Sequence, residues 1–503
     1  MDYGWEIQLY LLLFVCVAMF IYKYGTESHK VWKSAGVPGP PPTPFFGNIH
    51  QLFNVEIGVR CSVKKWQEKY GRIFGIYFFH KPVLVVTDPE AMKRIFVKDF
   101  NIFVDRFFVG EGKLQHSIIQ KTLFFAQGHS WKRLRKMVNP AFTSGKLKLL
   151  MGYINRTAGL LSEQLLDSAK KGTPVEAKTV FGAYALDVIA GTAFGLDINS
   201  QNDLSNPLIQ HARSLTTIDK IVQLKLTIIG IFPSLIPVFR AFKIGYFRYK
   251  DVKFFRETLL KLISEKKHTK SEQSDLLQLL MDVEADPSDG DVLCQKLSDE
   301  EVAAQCLLFM IAGYDATSSA LQYFFYELAR YPQIQEKIYS EVMSVLGEDE
   351  ELSYESCLKM KYLEAAVEEI LRMYPLLHTL TRNTVKETTL NGMFIPANSA
   401  VLIPAYNVGR DPEFFHNPDT FIPERFLESS KHDINPVTFI PFGYGPRQCI
   451  GLRLAMMELK IAIVHVLRRL RISKATPEVL EIEDYSGGLV SKIPVQLFME
   501  VRS

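Results

Sequence analysis

Residues 442–451 read FGYGPRQCIG, with Arg447 two residues before Cys449 and Gly451 two residues after it. Proline removes backbone freedom and glycine allows conformations closed to other residues. The loop therefore reads as a stiff mount for one thiol. Such a thiol suits a structural cysteine, a nucleophile or a metal ligand. A nucleophile calls for a nearby base, and no histidine lies close in sequence. A metal held on a rigid thiolate needs what the loop offers: glycines that let backbone N–H groups approach sulfur, and an arginine for an anionic group beside the metal.

Four further patterns could serve such a site. They are Glu369-x-x-Arg372 in EEILR, Arg425 in PERF, Asp315 and Thr317 in AGYDATS (312–318), and Trp131-x-x-x-Arg135. Each has a plain alternative. Glu369 and Arg372 could be a solvated i,i+3 helix pair, Trp131 a core residue, and Lys132, Arg133, Arg135 and Lys136 a solvated face. Cys16, Cys61, Cys294, Cys306 and Cys357 are widely spaced, with no CxxC pair. That argues against a disulfide framework or a tetrahedral zinc site and suits a reducing compartment. These five read as core or membrane residues.

The chain has 503 residues, 47% of them hydrophobic, and a net charge of +3. The charge gives no general pull toward nucleic acid. No clear linker follows residue 50. Leu9–Tyr22 is apolar throughout and with its flanks approaches a bilayer span of about 20 residues. Asp2 and Glu6 precede it and no A-x-A-like site follows, so 1–24 reads as an uncleaved anchor. Lys23, Lys30 and Lys33 place the body on the cytosolic side. Residues 25–50 read as a basic, proline-rich linker, its run VPGPPPTPFFGN a stiff arm, and 51–503 as the catalytic domain. A hairpin is expected around His80-Lys81-Pro82, a helix from Asp88-Pro89, and a second β cluster over 388–405 turning at Asn391-Gly392. The other long segments read as helices, so the fold class is mainly α with small β-sheets. The longest helix starts at the Ser298/Glu301 capping box, stops before Pro332, and spans roughly 48 Å. Gly313 and Asp315 in its apolar middle suggest a cavity wall, because both are costly in a packed core. Segment 226–246, broken by Pro233 and Pro237, reads equally as a membrane-dipping surface or a buried helix pair.

Phe442-x-x-Gly445-x-Arg447-x-Cys449-x-Gly451 resembles the haem-binding signature of the cytochromes P-450. The other four patterns fall in the family's order, and the resemblance covers essentially the whole chain. LNGMFIP, RDPEFF and PERF resemble the microsomal drug- and steroid-oxidising branch that includes thromboxane synthase. The resemblance implies the cytochrome P-450 fold, haem b with Cys449 as axial ligand, and an ion cluster of Glu369, Arg372 and Arg425. It implies cofactor contacts from Arg106, Trp131, Arg135, Arg382, Phe442, Arg447 and Gly451, with Asp315 and Thr317 as candidate catalytic residues. It further implies electrons from NADPH–cytochrome reductase, cytochrome b5 as a second donor, and an endoplasmic reticulum location, single-pass with a cytosolic catalytic domain. Substrates would be steroids, fatty acids or foreign compounds, bound by residues around Phe107–Phe125, Leu308–Ala312 and Leu376–Leu380. The chain shows no convincing G-x-G-x-x-G loop for a nucleotide of its own.

One position departs from the family. Most members have threonine directly after the acid; here Ala316 follows Asp315 and the threonine is Thr317. One residue along a helix is about 100° of rotation, so Thr317 does not take the same place. Poorer proton delivery and peroxide release follow, or an isomerase that rearranges lipid peroxides and needs no such hydroxyl. A non-enzymatic haem protein that binds or senses a ligand is a third reading.

Overall fold

The computed structural model describes residues 4–52, 58–109, 116–203, 206–216, 220–268, 275–283, 296–347, 352–483 and 489–502. Cys294 and residues 110–115 of the expected pocket lie outside them.

The central helix, Asp299–Arg330, forms as its ends dictate. Ser298 and Glu301 close a reciprocal capping box, and Tyr331 ends the helix ahead of Pro332–Leu346. It packs most extensively on helix Ala177–Phe194. Gly313 belongs to that crossing: a Cβ there would lie 2.3 Å from Ile189 Cδ1. Close helix approach therefore requires the glycine, a reason that its position in the sequence did not show. Helix Leu452–Leu467, which follows the thiol loop, packs on both the central helix and Ser144–Lys170.

The expected β elements form. Ile73–Phe78 and Lys81–Val86 pair antiparallel. Ala400–Ile403 joins Lys81–Val86 in parallel, and Leu380–Asn383 completes a four-stranded sheet. Thr388–Leu390 and Met393–Ile395 pair across Asn391-Gly392, whose φ values of 48° and 80° suit that dipeptide. Asp88 caps the following helix by accepting from Ala91 N. A further sheet, not expected, pairs Gln496–Val501 with Leu470–Thr476 and Val175–Glu176. Only Arg468 and Arg469 separate its strand Leu470–Thr476 from the preceding helix, so no glycine or proline marks the change of period.

Helix Gly4–Thr26 carries exposed apolar side chains from Ile7 onward, and the stretch Ile7–Ser34 is long and apolar enough to cross a membrane. The proline-rich run, expected as a stiff arm, lies against the hairpin. Pro38 O accepts from Gly75 N at 2.8 Å, a Cβ on Gly39 would meet Gly75 O, and the buried Trp32 donates from its indole to Ile76 O. Removing side chains at Gly39 and Gly75 lets the run lie against the hairpin. Helix Lys220–Ile231 breaks at Phe232 and bends by 112° into Pro233–Ala241. Phe232, Val238 and Phe242 are exposed, the last at 74%. A buried helix pair would not leave such surface in water.

Candidate active site

The thiol loop is built by its glycines. Gly443 and Gly445 have φ of 75° and 74°, and a Cβ on Gly445 would stand 2.2 Å from Phe96 O. Cys449 N donates to Phe442 O at 2.8 Å and Gln448 N to Gly445 O at 2.9 Å, which closes the loop before the next helix. Cys449 is accessible yet enclosed by protein, so it faces an interior space. Burial pushes its thiol pKa up, while the Gly451 N–H, Arg135 and Arg106 favour the thiolate. A positive metal at the sulfur would complete that ionisation.

Four arginines gather beside it. Arg135 donates to Gln448 O at 2.8 Å, and Arg106 to Phe124 O at 3.2 Å. Arg447 donates to Ala126 O at 2.9 Å, lies 3.5 Å from Asp105, and stacks its guanidinium 4.3 Å from the ring centre of the buried Trp131. Arg382 donates to Thr381 O at 2.8 Å and lies over Phe96. Burial first, and repulsion among the arginines second, lower the pKa of Arg447 to about 8, that of Arg382 to about 9 and that of Arg106 to about 10. Arg382 Nε and Arg447 Nε and Nη1 are buried without an acceptor. So much buried positive charge with unmet donors is costly. It calls for anionic oxygens from a bound group.

The central helix carries an accessible stripe of its own. Leu308, Ile311, Ala312, Asp315 and Ala316 keep accessible surface while most of their neighbours are buried. Their i, i+3, i+4, i+7, i+8 spacing makes one stripe. Asp315 is half-exposed and paired with Lys178 at 2.7 Å; Lys178 also donates to Ser319 Oγ and to Asp315 O. Thr317 is turned out of the stripe, buried, and donates to Glu458 Oε2 at 3.3 Å. Ala316 thus lies where a hydroxyl would stand on the accessible stripe. Phe108, Phe124, Phe125 and Phe247 form a ring cluster with centroid separations of 4.5–6.3 Å. Leu376 and Leu377 are accessible, whereas His378 is buried with Nδ1 2.8 Å from Thr379 Oγ1.

The third group is an ion cluster. Arg372 grips Glu369 with Nε and Nη2 at 2.7 and 2.8 Å and donates to Gly409 O. Arg425 adds a bond to Glu369 Oε1 at 3.2 Å, as does the Ile422 N–H at 3.0 Å. The pair is fully buried, not a solvated helix pair. On the basic face, Arg133 is committed to Glu301 while Lys132 and Lys136 are exposed.

Lys178, Glu458 and Asp105 escaped the reading from sequence. Signals existed for two. Lys178 is a cation in the first turn of a helix, where the dipole disfavours it. Glu458 interrupts an apolar run, LAMMELKIAIV.

A family model described as Cytochrome P450 matches residues 37–498. Cytochrome P450 3A29 of Sus scrofa is 37% identical over 472 residues, 92% of this chain and 91% of that protein. Cytochrome P450 3A7 of Homo sapiens is 34% identical over 499 residues, 99% and 97% of the two chains. Lithocholate 6-beta-hydroxylase of Mesocricetus auratus is 36% identical over 469 residues, covering 92% and 90%. The enclosed thiol, the anion-seeking arginines and this match along nearly the whole chain agree: the chain belongs to the cytochrome P450 family, whose members are haem-thiolate monooxygenases.

Proposed function

We propose that this chain is a membrane-anchored monooxygenase that hydroxylates lipophilic substrates of steroid, fatty-acid or drug type. The observation that carries this is the enclosed thiol of Cys449 beside buried arginines with unmet donors, in a chain whose central helix keeps an accessible, mostly apolar stripe. The residues fit haem. Cys449 supplies a thiolate, and the unmet donors of Arg382 and Arg447, with Arg106 and Arg135, suit its two propionates. Bound there, haem supplies dioxygen activation, and a thiolate ligand favours O–O cleavage.

The chain's own residues do the rest. Arg135 and the Gly451 N–H steady the sulfur as thiolate. Trp131 backs Arg447 and holds its plane. Phe442 closes the loop through its carbonyl. Glu369, Arg372 and Arg425 fasten their helix to the 409–425 segment and act on the fold. Asp315 holds a proton acceptor at the edge of the stripe, with Lys178 as its partner and route to water. Ala316 offers no hydroxyl there, so proton delivery depends on Asp315 and water, and part of the reducing power leaves as peroxide.

Apolar lining at Leu308, Ile311, Ala312 and the phenylalanine cluster favours lipophilic substrates and discriminates weakly, about 1–3 kcal/mol per methylene. The name of the hamster relative, a bile-acid hydroxylase, favours a steroid-like substrate. Exposed Lys132 and Lys136 suit an acidic electron donor, NADPH–cytochrome reductase, with cytochrome b5 as a second donor. The anchor helix, with the exposed apolar surface at Phe232–Phe242 joined to it by Tyr24 Oη donating to Ile231 O, favours the endoplasmic reticulum membrane, crossed once with the catalytic body cytosolic. Reconstitution with reductase, lipid and a steroid panel tests the reading. Product that requires NADPH supports it. Rearrangement of lipid endoperoxides without NADPH would favour an isomerase.

A further inference from the structure

The central helix carries a fully buried amide, Gln305, one turn before the accessible stripe. Its Oε1 accepts from Leu123 N at 2.8 Å. Its Nε2 donates to Lys121 O at 2.9 Å and to Glu301 O, on its own helix, at 3.1 Å. An amide whose oxygen and nitrogen both engage one short stretch fixes that stretch in position and in direction.

The stretch leads into a segment with two duties. The carbonyls of Phe124 and Ala126 accept from Arg106 and Arg447 of the cofactor site. The rings of Phe124 and Phe125 join Phe108 and Phe247 in the aromatic cluster. The segment's other backbone bonds are local turns, such as Thr122 N to Ile119 O and Ala126 N to Thr122 O. Local turns shape the loop, and the two arginines hold only its end at 124 and 126. The bonds to Gln305 tie the shape to the helix, three residues before Leu308.

We propose that Gln305 is a positioning residue: by pinning residues 121–126 to the central helix it sets where Phe124 and Phe125 stand, and so which lipophilic substrates bind and which of their carbons is presented. Only its effect on product rests on the monooxygenase reading; its effect on the loop does not.

Hydrogen exchange on the haem-loaded full chain reads the pin directly. In the wild type the Leu123 amide is protected like those of the neighbouring helix, and exchange at the rate of a free amide would overturn the proposal. Gln305→Met keeps length and removes both bonds; exchange across 121–126 rises about ten-fold, as loss of two buried hydrogen bonds requires. Gln305→Glu keeps the acceptor for Leu123 and, as the neutral acid that burial favours, one donor for the two carbonyls, and gives a smaller rise. Both keep the thiolate-type carbon monoxide spectrum. Across steroids of different bulk, Gln305→Met raises KM several-fold with little change in kcat and alters the ratio of hydroxylated positions. Unchanged exchange in a variant with the native spectrum would overturn the pin. Faster exchange with an unchanged product ratio and KM would overturn its role in selectivity. If Gln305→Met fails to fold, Gln305→Glu and the wild-type Leu123 amide decide. Absence of oxygenated product from the wild type itself would defeat the monooxygenase reading and leave the exchange test standing.

Discussion

Thr317 donates its hydroxyl to Glu458 at 3.3 Å, away from the stripe on which Ala316 lies. The threonine nearest the family's usual position is therefore a link between the central helix and the helix after Cys449. Its hydroxyl is already committed. Thr317→Val should leave product formed per NADPH within about two-fold of wild type and lower thermal stability by about 1 kcal/mol, the usual net worth of one hydrogen bond. Peroxide and product yields, with a melting curve, check this; a collapse of product yield would return Thr317 to proton delivery.

Ala316→Thr places a hydroxyl on the accessible stripe. Product per NADPH should rise and peroxide should fall, with substrate affinity little changed. Parallel assays of NADPH, peroxide and product test it. No gain would mean that Asp315 and water already suffice.

Burial raises the Glu458 pKa to about 8, against which the Thr317 bond works only in part. The folded state then holds a proton that the unfolded chain releases above its ordinary carboxyl pKa. Stability from this group is full below that ordinary value and is lost as pH rises through about 8. Glu458→Gln, neutral at every pH, should flatten the stability-versus-pH curve relative to wild type and stabilise by a few kcal/mol, about, at the alkaline end. Denaturant unfolding at several pH values measures the difference. Parallel curves for the two proteins would contradict the assignment.

The thiol loop and the central helix were legible because both are local. Glycine, proline and cysteine spacing describe the loop, and a capping box with a following proline describes the helix. The pairings of Lys178, Glu458 and Gln305 were not legible, since their partners Asp315, Thr317 and Leu123 lie 137, 141 and 182 residues away. Gly313 was visible but its packing reason was not, because Ile189 sits on another helix. The proline-rich run reads as a stiff arm, and its packing stayed hidden for the same cause: its partner Gly75 belongs to the hairpin.

Arg372→Ala strands Glu369 in the core with only Arg425 and one backbone N–H. Breaking one side of a buried pair costs about 3–5 kcal/mol, a large share of the stability of most domains. Cells should yield no haem-loaded protein from this variant. Arg372→Lys, which cannot form the two-point grip, should be rescued only in part. Haem content per purified chain checks both; normal content in Arg372→Ala would remove the cluster's structural role.

Lys178→Met frees Asp315 from its ion pair. Turnover should fall several-fold with KM little changed and a larger solvent isotope effect, as for Asp315→Asn. Steady-state kinetics in light and heavy water separate this from a folding defect. Unchanged kcat and isotope effect in both variants would take the pair out of proton delivery.

The most direct test of the account follows the oxygen atom. The full chain, reconstituted with reductase, lipid and NADPH, is given a steroid under isotopically labelled dioxygen, beside Cys449→Ala treated alike. The account predicts one labelled oxygen atom per product molecule, strict dependence on NADPH, and neither product nor a thiolate-type carbon monoxide spectrum from Cys449→Ala. Unlabelled or NADPH-independent product from the wild type, or a retained thiolate spectrum in Cys449→Ala, would contradict it.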